Sequence, residues 1–192
     1  MKLLHIDSSI QGAGSASRAV SAAVAERLRA EHPALAASYR DLAAEPLPHL
    51  TLDVLGDPMA NAELQAFLAA DVVVIGAGFY NFTIPSQLKV WLDRIMIAGQ
   101  TFSYGPDGPQ GLAGNKRVIV ALARGGFYGE GAPAAGFEHG ETYLKAVFGF
   151  IGITPEFVVA EGLAMGDEAR EAAMAGALSA ARGLAGGLAV AA

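Results

Sequence analysis

A loop rich in serine and glycine follows the first apolar segment of the chain, and its residues fit phosphate binding. Residues 7–18 read Asp-Ser-Ser-Ile-Gln-Gly-Ala-Gly-Ser-Ala-Ser-Arg and lead into a helical pattern. The first N–H groups of a helix have no intrahelical acceptor and can bind an anion. Together with the nearby hydroxyls of Ser9, Ser15 and Ser17, they predict a binding site for a phosphate monoester. The same residues are equally consistent with a loop in which Ser17 is only an N-cap.

Part of this loop also matches a dinucleotide-binding fingerprint. Gly12 and Gly14 occupy the first two glycine positions of the pattern GxGxxG, but Ser17 stands at the third. A Rossmann-type NAD site is therefore disfavoured. Arg18 places a cation in the first turn of the predicted helix, where it opposes the helix dipole, and a bound anion would explain that unfavourable position.

Two later loops have residues suited to a planar ring. Residues 79–82 read Phe-Tyr-Asn-Phe and follow a β-branched run, so they would offer flat apolar surface beside backbone polar groups. Residues 123–126 read Ala-Arg-Gly-Gly after another such run, and their glycines would let backbone approach a ligand closely. Aromatic side chains folded back into the core, and a flexible glycine turn, are the alternatives for the two loops.

Several other kinds of site are excluded by the residues. The chain has no cysteine, which rules out disulfide scaffolds, iron–sulfur sites and thiol enzymes. Neither GxSxG nor GxxxxGK[ST] occurs in it. The four histidines lack metal-ligand spacing, so no metal site is expected; His5 is predicted to lie in the core and His139 in a polar loop.

Length and charge limit the class of protein. The 192 residues carry a formal charge of −6 and are 53% hydrophobic, which predicts one globular domain spanning residues 1–192. No basic cluster for nucleic acid is present. An acid at Asp7 interrupts any signal peptide, and the Ala/Gly-rich segment 172–192 is predicted to end a helix rather than to span a membrane. A cytoplasmic location is therefore expected.

The elements that must position these loops follow an alternating order of strand and helix. The periodicity predicts strands at 2–6, 35–39, 72–75, 118–122 and 156–160, helices at 16–31, 61–69, 85–95, 141–150 and 167–183, and a hairpin insertion within 101–112. This order predicts an α/β fold with a doubly wound, five-stranded parallel sheet and helices on both faces. Ligands of such sheets bind beyond the carboxyl ends of the strands, where the loops described above lie.

Motifs along nearly the whole chain share one resemblance. They are His5-Ile6-Asp7-Ser8-Ser9, Asp41-Leu42, Tyr80-Asn81-Phe82-Thr83-Ile84-Pro85, Leu88-Lys89-x-Trp91-Leu92-Asp93, Gly108-Pro109-x-Gly111-Leu112, Arg124-Gly125-Gly126 and Phe150-Ile151-Gly152-Ile153. In these motifs the chain resembles the FMN-dependent NADH-azoreductase family, of the flavodoxin-like NAD(P)H:quinone oxidoreductase group. The resemblance implies a flavodoxin-like fold.

The resemblance also implies a cofactor, a reaction and a set of binding residues. FMN would be bound, with its phosphate and ring held by Ser9, Ser15, Ala16, Ser17, Phe79, Tyr80, Asn81, Phe82, Ala123, Arg124, Gly125 and Gly126. NADH or NADPH would reduce the flavin by hydride transfer and leave before a quinone or azo compound is reduced in turn. The flavin carries this chemistry, so no catalytic side chain is expected. Family members are usually homodimers, and the helix carrying Trp91 is either an interface element or a core helix.

Three departures from the family pattern are visible in the sequence. Gly78-Phe79 stands where Pro-Met is frequent, Ala123 replaces a serine or threonine, and the stretch between Leu47 and Asn61 is short. A flavodoxin-type one-electron carrier is the alternative function, although its docking surface would be more acidic than a charge of −6 suggests. A protein that keeps the fold but has lost FMN is a further alternative, to which Ala123 lends slight support.

Overall fold

The computed structural model describes residues 1–184, and a five-stranded parallel sheet lies at its centre. The strands of this sheet are β1 (Lys2–Asp7), β2 (Ala36–Asp41), β3 (Val72–Gly78), β6 (Arg117–Ala123) and β7 (Glu156–Ala160), in the spatial order β2-β1-β3-β6-β7. The chain moves outward from β1 to β2 and then returns to the other side of β1 with β3. The switch in strand order therefore lies between β1 and β3, where the predicted phosphate loop begins.

Six α-helices occur within residues 1–184. They are α1 (Ala16–Glu31), α2 (Leu52–Gly56), α3 (Ala62–Ala69), α4 (Ser86–Ile95), α5 (Glu141–Phe150) and α6 (Asp167–Gly183). Short 3-10 turns occupy Gly12–Gly14 and Ala135–Phe137. No helix in the described range is both long and apolar enough to cross a membrane. Residues 185–192, the end of the segment considered above for a membrane span, lie outside the described residues.

The sheet separates two apolar clusters, one on each face. Val73 and Ile75 of β3 pack toward α3, α4 and α5, whereas Val72 and Val74 pack toward α1 and α6. Because side chains alternate between the faces of a strand, burial on both faces requires a continuous apolar run. This requirement explains the Val-Val-Val-Ile sequence, and it confirms the predicted two-sided sheet.

The hairpin insertion is confirmed as a separate two-stranded antiparallel sheet, formed by β4 (Phe102–Gly105) and β5 (Gly108–Gly111). It packs against the chain that follows α5. A Cβ atom on Gly111 would clash with the backbone of Ile151 and Gly152, so only glycine permits this approach.

Trp91 settles one of the alternatives left open by the sequence. Its side chain is fully buried and packs edge-on against Phe67 of α3, with ring centroids 5.9 Å apart. The core alternative therefore holds for the Trp91 side chain, and the homodimer stays a prediction. The short helix α2 was not predicted, since its five residues carry no readable period.

Candidate functional site

The loop after β1 places two serine hydroxyls at the start of α1. Ser15 is the N-cap, and its Oγ accepts a hydrogen bond from the Arg18 N–H at 3.3 Å. The interpretation of Ser17 as the N-cap is therefore wrong, because Ser15 has the extended backbone that an N-cap requires. Ser17 instead lies in the first turn, and its Oγ is 3.0 Å from the Ser15 Oγ. Both serines are buried.

Backbone donors lie beside this serine pair. Within the described residues, the N–H groups of Ala16 and Ser17 donate to no protein acceptor. Unpaired N–H groups at a helix start form an anion-binding site, and the helix dipole favours negative charge there. The loop therefore combines two hydroxyls and two free donors, which suits a phosphate monoester.

Arg18 has a different role from the one suggested by its position. Its guanidinium donates to both carboxylate oxygens of Asp41, at 2.6 and 2.8 Å, and to the Ser9 carbonyl oxygen at 2.9 Å. The ion pair with Asp41 offsets the unfavourable dipole interaction, so the position of Arg18 needs no bound anion to explain it. The hydrogen bond from Arg18 lowers the pKa of the Asp41 carboxyl to about 2. Arg18 thus fixes the loop after β1 to the end of β2.

A buried polar network lies beneath the same loop. The Asp7 carboxylate accepts hydrogen bonds from Ser21 at 2.8 Å and from Tyr39 at 3.0 Å. The His5 Nε2 is 3.0 Å from the Ser21 Oγ, so the prediction of a satisfied core histidine is confirmed. Burial lowers the pKa of His5 and raises the pKa of Tyr39 to about 12. A Cβ atom on Gly76 would clash with the Asp7 carboxylate, so glycine is required beside this network.

The second predicted loop forms a tight turn with strained backbone. Tyr80 and Thr83 exchange backbone hydrogen bonds of 2.9 and 3.1 Å, and the two residues between them have positive φ, +48° at Asn81 and +73° at Phe82. Asparagine tolerates this region, whereas a bulky aromatic residue rarely adopts it. The Phe82 side chain nevertheless remains 47% exposed. Strain of this kind concentrates at functional sites, so the turn is a candidate ligand-binding element.

Direct contacts bring the three predicted loops together. The Tyr80 hydroxyl and the Ser9 Oγ are 2.8 Å apart, which joins the first loop to the second. The Phe79 N–H donates to the Ala123 carbonyl oxygen at 2.9 Å, which joins the second loop to the third. The Phe79 ring also packs against Tyr128, with centroids 4.7 Å apart. The three loops predicted from separate parts of the sequence therefore lie together at the carboxyl ends of the strands.

Arg124 does not present its side chain to this site as a free cation. Its guanidinium is buried and contacts the carboxylates of Glu138, Glu141 and Glu161. Gly125 and Gly126 continue the third loop, and their carbonyl oxygens accept backbone hydrogen bonds from the loop after β7. His139 is exposed and its imidazole has no hydrogen-bond partner in the described part of the chain, as expected for a polar loop residue.

A cavity of about 520 Å³ opens beside the second loop. Its walls come from Ile10, the Tyr80–Thr83 turn, Lys89 of α4 and Tyr143 of α5. This volume is within the range of small-molecule sites. Ile10, Lys89 and Tyr143 were not predicted as site residues, although a readable signal existed for Ile10, an isolated large apolar residue in a loop of small polar ones.

Comparison with known proteins gives consistent findings. A sequence model of the family described as flavodoxin-like fold matches residues 1–184. The FMN-dependent NADH:quinone oxidoreductase of Methylorubrum populi is 59% identical over 200 residues, covering 96% of this chain and 98% of the relative.

Solved structures agree with the sequence relatives. The azoreductase from Bacillus anthracis str. Sterne matches with a TM-score of 0.84 at 31% identity, covering 96% of this chain and 100% of that one. An FMN-dependent NADH-azoreductase from Bacillus anthracis str. Ames Ancestor, solved in complex with FMN, matches with a TM-score of 0.80 at 28% identity, covering 94% and 97%. The similarity therefore extends over nearly the full length of each protein.

Proposed function

The chain belongs to the flavodoxin-like fold family, and from that membership we propose that it is an FMN-dependent NADH:quinone oxidoreductase. The observation that carries the proposal is the meeting of three loops at the ends of β1, β3 and β6. One loop holds the paired serines and free N–H groups, and the other two hold the aromatic turn and the glycine pair. A phosphate and a planar ring need these two kinds of surface side by side.

The residues of the first loop suit the phosphate of FMN. The hydroxyls of Ser15 and Ser17 are buried, and within residues 1–184 they bond only to each other and to the Arg18 N–H, so a phosphate oxygen can replace the mutual contact. The free N–H groups of Ala16 and Ser17 add two donors. In our proposal Ser9 holds the adjoining part of the loop in place through Tyr80.

The residues of the second and third loops suit the flavin ring. We assign ring contacts to Phe79, Tyr80, Asn81, Phe82, Ala123, Arg124, Gly125 and Gly126. Ala123 and Arg124 would only line the ring with their main chain, because Ala123 has no polar side chain, the Arg124 guanidinium is buried among carboxylates, and the Arg124 N–H already donates to the Ala160 carbonyl oxygen. Within the described residues the N–H groups of Gly125 and Gly126 donate to no protein acceptor, so they are the donors available to the ring. Main-chain donors at this edge can stabilise negative charge on a reduced ring without any titrating side chain.

Bound FMN would supply two-electron transfer from NADH or NADPH to a quinone or an azo compound. The chain itself would bind and orient the ring, and it would leave one ring face open to each substrate in turn. We propose such a ping-pong order because one cavity, walled by Ile10, Lys89 and Tyr143, lies beside the second loop. In this proposal the electron donor and the acceptor enter the same cavity one after the other.

We also propose a homodimer with FMN close to the subunit boundary. Three large apolar side chains at the site are well exposed in the single chain, namely Ile10 at 64%, Phe82 at 47% and Phe137 at 56%. Exposed apolar surface of this kind is typical of interaction sites. Sedimentation velocity tests the assembly, since a species at the 19.7 kDa monomer mass across micromolar concentrations would contradict it.

The test of the function uses the visible spectrum of the purified protein. After addition of FMN and removal of the excess, we expect a retained flavin band that bleaches when NADH is added without oxygen and returns when a quinone is added. A retained band that NADH leaves unchanged would favour a one-electron carrier. Absence of any retained flavin would refute the FMN assignment.

A further inference from the structure

Arg124 is the first residue after β6, and its guanidinium binds carboxylates of the protein itself. We propose that Arg124 is a positioning residue, whose guanidinium fixes the ring-binding loops against one another without touching the ligand. The inference rests on the proposed function, because the ring that these loops would hold is that of FMN.

The contacts of the guanidinium connect three separate segments. One terminal nitrogen donates to Glu141 Oε2 at 2.5 Å and to Glu138 Oε1 at 3.3 Å, and the other donates to Glu161 Oε2 at 3.4 Å. The Arg124 side chain is only 2% exposed. The three acids come from the loop before α5, the first turn of α5 and the residue that follows β7. A single cation therefore ties the end of β6 to both neighbouring connections.

Two of the carboxylates that bind Arg124 also accept hydrogen bonds from the backbone of the loops around them. Glu138 accepts hydrogen bonds from the N–H groups of Gly140, Glu141 and Thr142, and so caps the start of α5. Glu161 Oε2 also accepts the Tyr128 N–H at 3.2 Å. Displacement of the guanidinium would release both the 127–140 segment and the start of α5.

Backbone hydrogen bonds fix Arg124 and the adjacent glycines, Gly125 and Gly126, against the end of β7 and the loop that follows it. The Arg124 N–H donates to Ala160, and the carbonyl oxygens of Gly125 and Gly126 accept from Ala164 and Gly162 at 2.8 and 3.0 Å. The Arg124 guanidinium also lies 5.9 Å from the centroid of the Phe79 ring in the second loop. The same residue thus supports both loops that we assign to the ring.

The charges make this arrangement sensitive to substitution. Three carboxylates share one buried cation, with Lys145 reaching Glu141 from the exposed side at 2.7 Å. Burial alone would raise the pKa of Glu141, but hydrogen bonds from Lys145 and Arg124 hold it below its usual value. Removal of one member of a buried ion cluster leaves the remaining charges uncompensated. Lysine keeps the charge of arginine but cannot reach three carboxylates with a planar fork.

Arg117 offers a matched control on the same strand. It lies at the opposite end of β6, is mostly buried, and donates to Glu156 at 2.6 and 2.8 Å. Arg124→Lys and Arg117→Lys each remove a guanidinium bound to carboxylate, so both should lower the melting temperature. Only Arg124→Lys should also loosen the site.

The experiment is titration of each apoprotein with FMN, followed by flavin fluorescence. We expect Arg124→Lys to weaken FMN binding by about tenfold and to change the shape of the bound flavin spectrum, whereas Arg117→Lys binds as the wild type does. Limited proteolysis of the apoproteins should cut within 127–140 faster in Arg124→Lys alone. Glu161→Gln provides a milder variant in case Arg124→Lys does not fold, and it should weaken FMN binding about threefold.

The outcomes separate the two proposals. Folded Arg124→Lys or Glu161→Gln protein with wild-type FMN affinity and wild-type proteolysis would overturn the positioning role while leaving the proposed function intact. Equal weakening in Arg117→Lys would also overturn it, because the effect would then follow from general stability. Failure of the wild-type apoprotein to bind FMN would refute the proposed function itself, and with it the inference.

Discussion

Simultaneous replacement of Ser15 and Ser17 by alanine should weaken FMN binding specifically through the phosphate. The two hydroxyls bond to each other at 3.0 Å, so the double variant removes both partners and leaves no buried hydroxyl unpaired. Ser15→Ala alone would leave the buried Ser17 hydroxyl without its partner, at a cost of about 1–3 kcal/mol. Ser17→Ala alone would leave the Ser15 Oγ in place, still accepting the Arg18 N–H. The double variant is therefore the cleaner perturbation of the site.

The expected magnitude follows from the hydrogen bonds that would be lost. A hydrogen bond to a charged group contributes about 1.5 kcal/mol at the lower end of its range, so two of them amount to about 3 kcal/mol, or about a hundredfold in affinity. The N–H groups of Ala16 and Ser17 remain, so binding should be weakened rather than abolished. Loss of the Ser15 N-cap should lower the free energy of unfolding by about 1 kcal/mol, a change of about 2–4 °C in melting temperature.

Riboflavin is the control ligand, because it has the same ring without the phosphate. Apoprotein should be titrated with FMN and with riboflavin, and the ratio of the two dissociation constants compared between variants. The double variant should lose most of the FMN preference while its riboflavin affinity changes little. Ser8→Ala is the control variant, since its buried hydroxyl donates to the Gly76 carbonyl at 2.8 Å and should affect stability alone. An unchanged ratio in the double variant would refute the phosphate assignment.

Three further predictions concern stability. Burial lowers the pKa of His5 below 6.5, so the unfolded chain binds this proton first as the pH falls, and the free energy of unfolding should decrease below about pH 6.5. The difference in melting temperature between pH 7.5 and pH 5.5 should therefore be smaller in His5→Asn than in the wild type. The pKa of Asp41 is about 2 instead of 3.8 because Arg18 binds it, so Asp41→Asn should lose about 1 kcal/mol at pH 7 by urea unfolding, and the difference from wild type should disappear as the pH falls through 4 toward 2. Gly76→Ala would force a methyl group into the Asp7 carboxylate and should cost at least about 2 kcal/mol by the same measurement, so an unaffected midpoint would contradict the packing described here.

The parts of the fold that were predictable from the sequence are those governed by local pattern. The run at residues 72–75 indicated a strand buried on both faces, and the four-residue spacing of Val20, Val24 and Leu28 indicated the helix that the structure shows as α1. Both patterns indicate which face of a helix or strand packs against the core, and this face is set by the spacing of apolar residues within the element itself. The positions of the three loops followed from the rule that parallel strands end at one edge.

Side-chain partners distant in the sequence were not predictable in the same way. Arg18 is paired with a carboxylate 23 residues away, and the acids around Arg124 are 14, 17 and 37 residues away. No periodicity records such pairs, since they arise only when separate loops meet at the sheet edge. The N-cap is a subtler case, because Ser15 and Ser17 have equal chemical ability to cap and only the backbone conformation distinguishes them.

The Tyr80–Thr83 turn connects strain with the readiness of the site for a ligand. A left-handed backbone at Phe82 persists only where surrounding contacts over-determine it. Those contacts come from three directions, because Tyr80 bonds to Ser9, the Phe79 N–H bonds to the end of β6, and the Phe82 carbonyl oxygen accepts the His139 N–H at 3.0 Å. Each contact belongs to a loop that we assign to the flavin site or borders one. The energy that holds the turn is therefore supplied by folding, and a ligand would meet a surface that is already formed.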